Sequence, residues 1–564
     1  MENAARRGAY WLALSLPLTT ALVFSSAFLA PFSAPKNAIF VLTACALAAL
    51  ALLFSSERKL EREERWFWIA GAAYVAITVV SAMLSQSRGL CLDSVEFTVC
   101  GVLLFAAVRA ALGGERRVLN TRNVQSAIAA VAVLVSLVTG AQFFGMQAPG
   151  AFGFLSNYTG RMRMYSTLGN PDFVAAFLSV ALPVAIGLSL KAQRLRAFWV
   201  AASVLIGVAV LLTGSRGGVI ALAAGITVIA FTGMRRRVPM LVAVVVVCAL
   251  AAGTQLNART PWESLRGRIL IWQVSLGGGA ARSALGSGPG TFAYEYPVRL
   301  GQFFAEPGRQ PLLRFASAER HAQNDFVEAW HETGWLGLGS LLALLGAWFA
   351  VAIRRLRTAG GEIRTQIAVA IASVSAFSAA ALFDFPMHRA ETWSMLWLSM
   401  AVPLLSPTLP AVPQRRRAWL HHAGAVALLV AGSYAAFAPL AASFETAKGE
   451  SEEDQGRLES SQRAYRAALR WERWSPDANF DLVRAEAKAG DFSDALAQSK
   501  IAIRSANEPE LYLLRSRILQ NAGRENEARH ELEAATRLFP YSKELRDEAA
   551  SYLLPDTAAE GSWR

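Results

Sequence analysis

Cysteine is scarce in this chain. The four residues Cys45, Cys91, Cys100 and Cys248 all lie within or beside apolar runs and none has the spacing of a metal-ligand set. They read as small apolar fillers between helices. Histidine is also sparse, six residues in 564, and no His-x-x-x-His or His-Glu-x-x-His pattern occurs among them; the chain offers no metal signature. No nucleophile elbow surrounds any serine, which leaves a Ser-His-Asp hydrolase unsupported. Gly286, Gly288 and Gly290 lack a preceding strand and the Lys-Ser/Thr of a phosphate loop, so they read as a tight turn. Acidic residues are outnumbered, 42 against 55 basic, for a net charge of +13. In a soluble protein that balance would suggest nucleic acid. Here the basic residues sit in short clusters between apolar runs, which is a membrane-topology signal and excludes nucleic acid as a partner.

What the chain has in quantity is hydrophobic sequence, 54% of its residues. Runs almost free of charge, each long enough to cross most or all of a bilayer core of about 30 Å, recur along it. They fall at roughly 10–30, 38–55, 67–84, 93–111, 123–145, 172–190, 197–213, 217–233, 239–255, 334–353, 365–383, 392–407 and 418–439. The expected fold is all-α: a polytopic transmembrane bundle of about 12–13 spans, a large external loop at 257–333 and a C-terminal helical-repeat domain. Arg6 and Arg7 precede the first run as in a signal peptide, but its length and the spans after it favour an uncleaved first helix. The domain reading is 1–150 for the N-terminal helices, 151–407 for a core including the 257–333 loop, 408–441 for the last span and 442–564 for the repeats.

Clusters such as Arg58/Lys59/Arg62/Arg65, Arg235/Arg236/Arg237, Arg354/Arg355/Arg357 and Arg415/Arg416/Arg417 mark alternate loops as cytoplasmic. The N-terminus is then inside and the tail outside. Arg161 and Arg163, Gly169-Asn170-Pro171-Asp172, Ser215-Arg216-Gly217-Gly218, the 257–333 loop and Asp384-Phe385-Pro386-Met387-His388-Arg389 all fall on the outer side. None of them serves the cytoplasmic charge rule, so they need another explanation.

Each has a bland reading and a chemical one. Arg216, alone between two apolar runs, either snorkels or grips a phosphate that the flanking glycines let approach. Arg268 and Trp272, four apart on one helix face, are an interfacial anchor or a second phosphate site. Two guanidiniums facing one cavity bind a diphosphate and stabilise it as a leaving group. His321, followed by Asn324 and Asp325, is the candidate base, with His331 as competitor. Asp384 and His388 orient a base or a sugar, or Asp384 caps a helix.

The tail repeats at 33 residues: Ala489-Gly490-Asp491…Ala495 returns as Ala522-Gly523-Arg524…Ala528, and Pro476, Pro509 and Pro540 punctuate at similar spacing. That is similar to tetratricopeptide helix pairs, a module for protein or glycan partners. A tail that only recruits partners would leave transfer intact when residues beyond Glu445 are removed.

These motifs, in this order, resemble the O-antigen ligase and polymerase superfamily of bacterial membrane glycosyltransferases. The resemblance runs from about Arg161 to Pro407, through Gly169-Asn170-Pro171, Ser215-Arg216-Gly217-Gly218, Arg268-x-x-x-Trp272, Gly286-x-Gly288-Pro289-Gly290-x-Phe292, His321-x-x-Asn324-Asp325 with Gly334-x-x-Gly337, and Asp384-Phe385-Pro386. It implies a multi-pass protein of the bacterial inner membrane with its active site and tail in the periplasm. The implied reaction needs neither metal nor cofactor. A glycan on undecaprenyl pyrophosphate is attacked by an acceptor hydroxyl, of lipid A core or a similar glycan. By position Arg216 and Arg268 match the pyrophosphate-binding arginines, His321 serves as base, and Arg161, Arg163, Asn170, Asn324, Asp325, Asp384 and His388 are implied substrate contacts. The chain departs from the family in one place: Gln323 stands where the family has His directly before the Asn, and His321, two residues earlier, is the substitute. Two rival readings are a polymerase of O-antigen or exopolysaccharide repeats and a non-catalytic assembly subunit in which Gln323 marks a dead site.

Overall fold

The computed structural model describes residues 2–54, 62–112, 121–145, 164–191, 194–232, 261–277, 284–404 and 418–553. Among them every regular element is helical, as the apolar periodicity demands: α1 (Glu2–Leu22), α2 (Ala34–Phe54), α3 (Arg62–Leu84), α4 (Leu92–Leu112), α5 (Thr121–Phe143), α6 (Pro171–Lys191), α7 (Arg196–Leu212), α8 (Arg216–Phe231), α9 (Pro261–Gly277), α10 (Phe292–Ala305), α11 (Asp325–Thr358), α12 (Gly361–Ala380), α13 (Ala390–Ala401) and α14 (Ala418–Asp454), followed by the tail. Eight of the described helices are long and apolar enough to cross a membrane, and α7 and α8 are shorter apolar helices. The protein is a polytopic helical membrane protein.

Two expected spans differ. The run at 10–30 is helical only to Leu22 and starts at Glu2; beyond it Phe24 turns back onto Phe32, ring centroids 5.6 Å apart. The run at 392–407 is the 12-residue α13, buried at every position. It is apolar all round because protein surrounds it, Trp397 and Trp393 included. The run at 239–255 lies outside the described residues.

The two ends of the bundle are chemically distinct. At one end Glu64 of α3, 1% exposed, binds Arg109 of α4 and Arg355 of α11, the latter at 2.7 Å. A carboxylate this buried needs such cations. The starts of α6, α8 and α11 and the end of α12 meet at the opposite end, where residues 284–324 sit.

There α11 is broken. Gly334 has φ 68° and ψ −169°, so the helix divides into a short polar piece ending at Thr333 and a long apolar one. A break frees backbone groups that a membrane protein must satisfy. The Gly286–Gly290 turn does this: Ser287 N–H donates to His331 O at 3.2 Å, Gly288 N–H to Glu332 O at 2.8 Å, and Leu336 N–H to Ala284 O at 3.1 Å. A Cβ at Gly286 would run into the Glu332 carbonyl. The glycine triplet is therefore a tight turn fitted to a helix break.

After α14 the chain continues as α15 (Leu458–Trp471), α16 (Pro476–Ala489), α17 (Phe492–Ala502), α18 (Pro509–Asn521), α19 (Glu525–Leu538) and α20 (Lys543–Leu553). Pro476 and Pro509 open α16 and α18, where the missing N–H costs nothing. Gly490 and Gly523, both at positive φ, end the first helix of each pair. Ala495 and Ala528 are fully buried where the second helix crosses the first. The 33-residue repeat is thus a pair of like-built helical hairpins.

Candidate active site

The segment between α12 and α13, residues 381–389, is the hub. Ser215 caps α8 by accepting the Gly218 N–H at 3.1 Å, which sets Arg216, exposed, at the helix start. Gly217 lies so close to the hub that a Cβ there would be 3.0 Å from Phe383 Cβ. From another direction Arg268 of α9 donates from its guanidinium to the Phe383 carbonyl. Arg268 and Gly217, the residue after Arg216, therefore converge on Phe383. α6 arrives at the same place. Asn170 Oδ1 accepts the Asp172 N–H at 2.8 Å, and Phe173 meets Phe385 edge-on, centroids 5.2 Å apart. Arg389 stands 4.2 Å above the Phe173 ring.

Beside the hub lies an imidazole–carboxylate cluster. Asp325 and Glu328, three apart on the first turn of α11, share one face and are almost fully buried, each 2% exposed. His321 Nδ1 is 2.9 Å from Glu328 Oε1, and Glu328 Oε2 accepts the Ala322 N–H at 2.8 Å. His388 reaches both carboxylates, with Nε2 3.3 Å from Glu328 Oε1 and Nδ1 3.2 Å from Asp325 Oδ1. Met387 N–H donates to Asp325 Oδ2 at 3.0 Å. Burial alone would lower the His388 pKa; Glu328 and Asp325 outweigh it and push it up from 6.5 to about 10. His321 stacks on Phe385, centroids 4.0 Å apart and planes 17° from parallel, and its side chain keeps 31% exposure. His388 is thus held as a cation, and both rings keep partial exposure, 31% for His321 and 28% for His388.

His321, Glu328 and His388 offer three ligand atoms within 4.8 Å of one another, a set whose composition could hold a cation. However, both His388 nitrogens face carboxylate oxygens within hydrogen-bond reach. As an imidazolium it donates from both and has no lone pair for a metal.

The remaining candidates divide. Asn324 caps α11, its Oδ1 accepting from Phe326 N–H and Val327 N–H at 2.9 and 3.1 Å, and its amide donates to Leu382 O at 3.0 Å. Asp384 is buried at the hub, and its carboxyl is pushed up to about 7 by burial and by Asp172, against the pull of Phe385 N–H and Arg268. His331 points away from the cluster: it is fully buried, 3.3 Å from Arg299 and against the Phe292 ring at 4.9 Å. It supports the fold of the segment between α9 and α11. Arg161 and Arg163 lie outside the described residues. Sequence reasoning overlooked Glu328 as the partner of both histidines; its i+3 spacing from Asp325 was the available signal.

Residues 201–342 match a family model described as O-antigen ligase. The match covers Arg216, Arg268, His321 and Asn324, and supports a ligase- or polymerase-type membrane function. The 381–389 hub and the tail lie beyond it. No curated protein matches the chain.

Proposed function

We propose that the protein is a glycosyltransferase of the O-antigen ligase type. It moves a glycan from undecaprenyl pyrophosphate to an acceptor sugar hydroxyl, of lipid A core or a similar glycan, at the periplasmic face of the bacterial inner membrane. The observation that carries this reading is the convergence on Phe383 of Arg268 and of Gly217, the residue after Arg216, beside a partly exposed imidazole bonded to a buried carboxylate. Two guanidiniums match a diphosphate in charge and in donor geometry.

In the step proposed, the acceptor hydroxyl loses its proton to His321 Nε2 while its oxygen attacks the anomeric carbon of the donor. The bond from that carbon to the pyrophosphate oxygen breaks, and the electron pair leaves with the lipid-linked diphosphate. Arg216 and Arg268 stabilise the charge that develops there. Glu328 holds the His321 ring and stabilises the imidazolium that forms, as a carboxylate does behind other catalytic histidines. No metal or cofactor enters the step. Asp384, Asn170 and Arg389 line the approach for sugar, and the tail repeats, tetratricopeptide-like in pattern, remain available to a partner protein. The pairing of His321 with Glu328 argues against a dead site at Gln323, since a base with its orienting carboxylate is present two residues away.

The test is transfer by the purified protein from an undecaprenyl-pyrophosphate oligosaccharide to alternative acceptors. Arg216→Ala and Arg268→Ala each lower kcat by at least about a hundredfold, the scale of losing one transition-state donor, while membrane insertion is unchanged. Wild-type product from both would overturn the reading in favour of an assembly subunit. A ladder of products identifies the polymerase form and a single addition to lipid A core the ligase form.

A further inference from the structure

Helix α10 has two faces in use. Phe292, Tyr296, Leu300 and Phe304 turn inward onto Leu270, Ile271 and Val274 of α9, the helix that carries Arg268. Its other face meets the tail. Val298 packs with Leu532 and Phe539, and Gly301 lies against the carbonyl oxygen of Leu538, the last residue of α19, with no room for a Cβ. Tyr541 touches both clusters, so the two cores are continuous.

A second contact bears on the base. Arg320, directly before His321, donates to Asp477 Oδ1 in the first turn of α16 at 2.7 Å, and Glu508, which precedes α18, adds its charge near the same guanidinium. A third contact is on the membrane bundle: Gly89, just before α4, sits under the Trp474 ring. The tail therefore touches the segment between α9 and α11 one helix away from Arg268 and one residue away from His321.

We propose that the C-terminal helices are a positioning module of the catalytic centre: α19 docked on α10, and α16 docked on Arg320, hold Arg268 and His321 in register, and transfer runs from the docked arrangement. This rests on the glycosyl-transfer reading. Arg320, Asp477 and Gly301 are positioning residues, and none of them meets substrate. A tail in this role is not dispensable for transfer, in contrast to one that only recruits partners.

The experiment uses the full-length purified protein and reads kcat and KM separately. Gly301→Ala improves the helix propensity of α10 and yet removes the space for Leu538, so a loss of kcat reports undocking and not unwinding. We expect kcat to fall about tenfold through misplacement of reacting groups, with KM for the acceptor little changed. Arg320→Asp and Asp477→Arg each lower kcat by up to about fivefold, the scale of one exposed ion pair, and the double variant, with the charges exchanged, recovers to within about twofold of wild type. An active wild type whose three single variants all keep full kcat overturns the inference, and so does a double variant no better than either single one. If wild type transfers nothing, the transferase reading fails on its own. Docking is then read by limited proteolysis, where Gly301→Ala must speed release of the tail, and unchanged protection overturns the proposal.

Discussion

Trp272 donates its indole N–H to the carbonyl of Ala322 at 3.0 Å, joining the helix of Arg268 to the residue beside His321. The indole is thus a strut between the two halves of the proposed site, and it explains the four-residue spacing of Arg268 and Trp272: both side chains leave the same face of α9, one toward Phe383 and one toward Ala322. Trp272→Phe keeps the apolar contact and removes the hydrogen bond. The stability cost is about 1 kcal/mol. The kinetic cost is larger, about tenfold in kcat, because the base and the diphosphate site lose their mutual register. Thermal unfolding and single-turnover transfer on the same sample separate the two.

His388 carries a prediction with a defined sign. Its folded pKa, about 10, lies above the ordinary 6.5, so the stability it supplies is complete below about pH 6.5 and is lost as pH rises through 10. The unfolding temperature should therefore fall between about pH 6.5 and pH 10, and His388→Ala should flatten that slope. The same substitution leaves Glu328 and Asp325 buried without their cation, at a cost of about 3 kcal/mol at neutral pH. Dialysis against excess EDTA leaves both transfer and the pH slope unchanged, with metal content measured on the dialysed protein; a loss of turnover restored by zinc would instead assign a metal to His321, Glu328 and His388.

Much of the proposed site was legible in the sequence. Residues whose side chains carry the chemistry proposed above, Arg216, Arg268, His321, Asp384 and His388, stand out because charge beside an apolar run needs a reason. The hub did not stand out, because Phe383 works through its backbone carbonyl, which any residue offers. Nor did the docking of the tail: Gly301 and Leu538 are far apart in sequence, and neither breaks a local rule. The same holds for α13, whose apolar run has the composition of a span and is too short for one. Composition reports that a helix avoids water and does not report whether lipid or protein surrounds it.

Asp384 is predicted to oppose stability above neutral pH. Its carboxyl titrates near 7 in the fold against 3.8 ordinarily, so the neutral form is the one the hub accommodates. The contribution is fully present below about pH 4 and is lost as pH rises through 7. Asp384→Asn keeps the shape and stays neutral. It should raise stability at pH 8 by up to about 4 kcal/mol, at about 1.4 kcal/mol for each pKa unit removed, and have almost no effect at pH 4. Denaturant unfolding at the two pH values measures the difference. If ionised Asp384 also faces the sugar, transfer falls although the protein is more stable, which separates the two roles.

Gln323 has φ 54°, the left-handed region that non-glycine residues seldom occupy. It turns the chain between Ala322, bonded to Glu328 and Trp272, and Asn324, the cap of α11. The backbone conformation, more than the side chain, is thus what the position supplies. Asn tolerates this region and a β-branched residue does not. Gln323→Asn should therefore match wild type in transfer and in unfolding temperature. Gln323→Val should lose about 1–2 kcal/mol and, by tilting His321 away from Glu328, most of its turnover. Full activity in the valine variant would mean that the turn does not set the base, and His321 would lose its claim to that role.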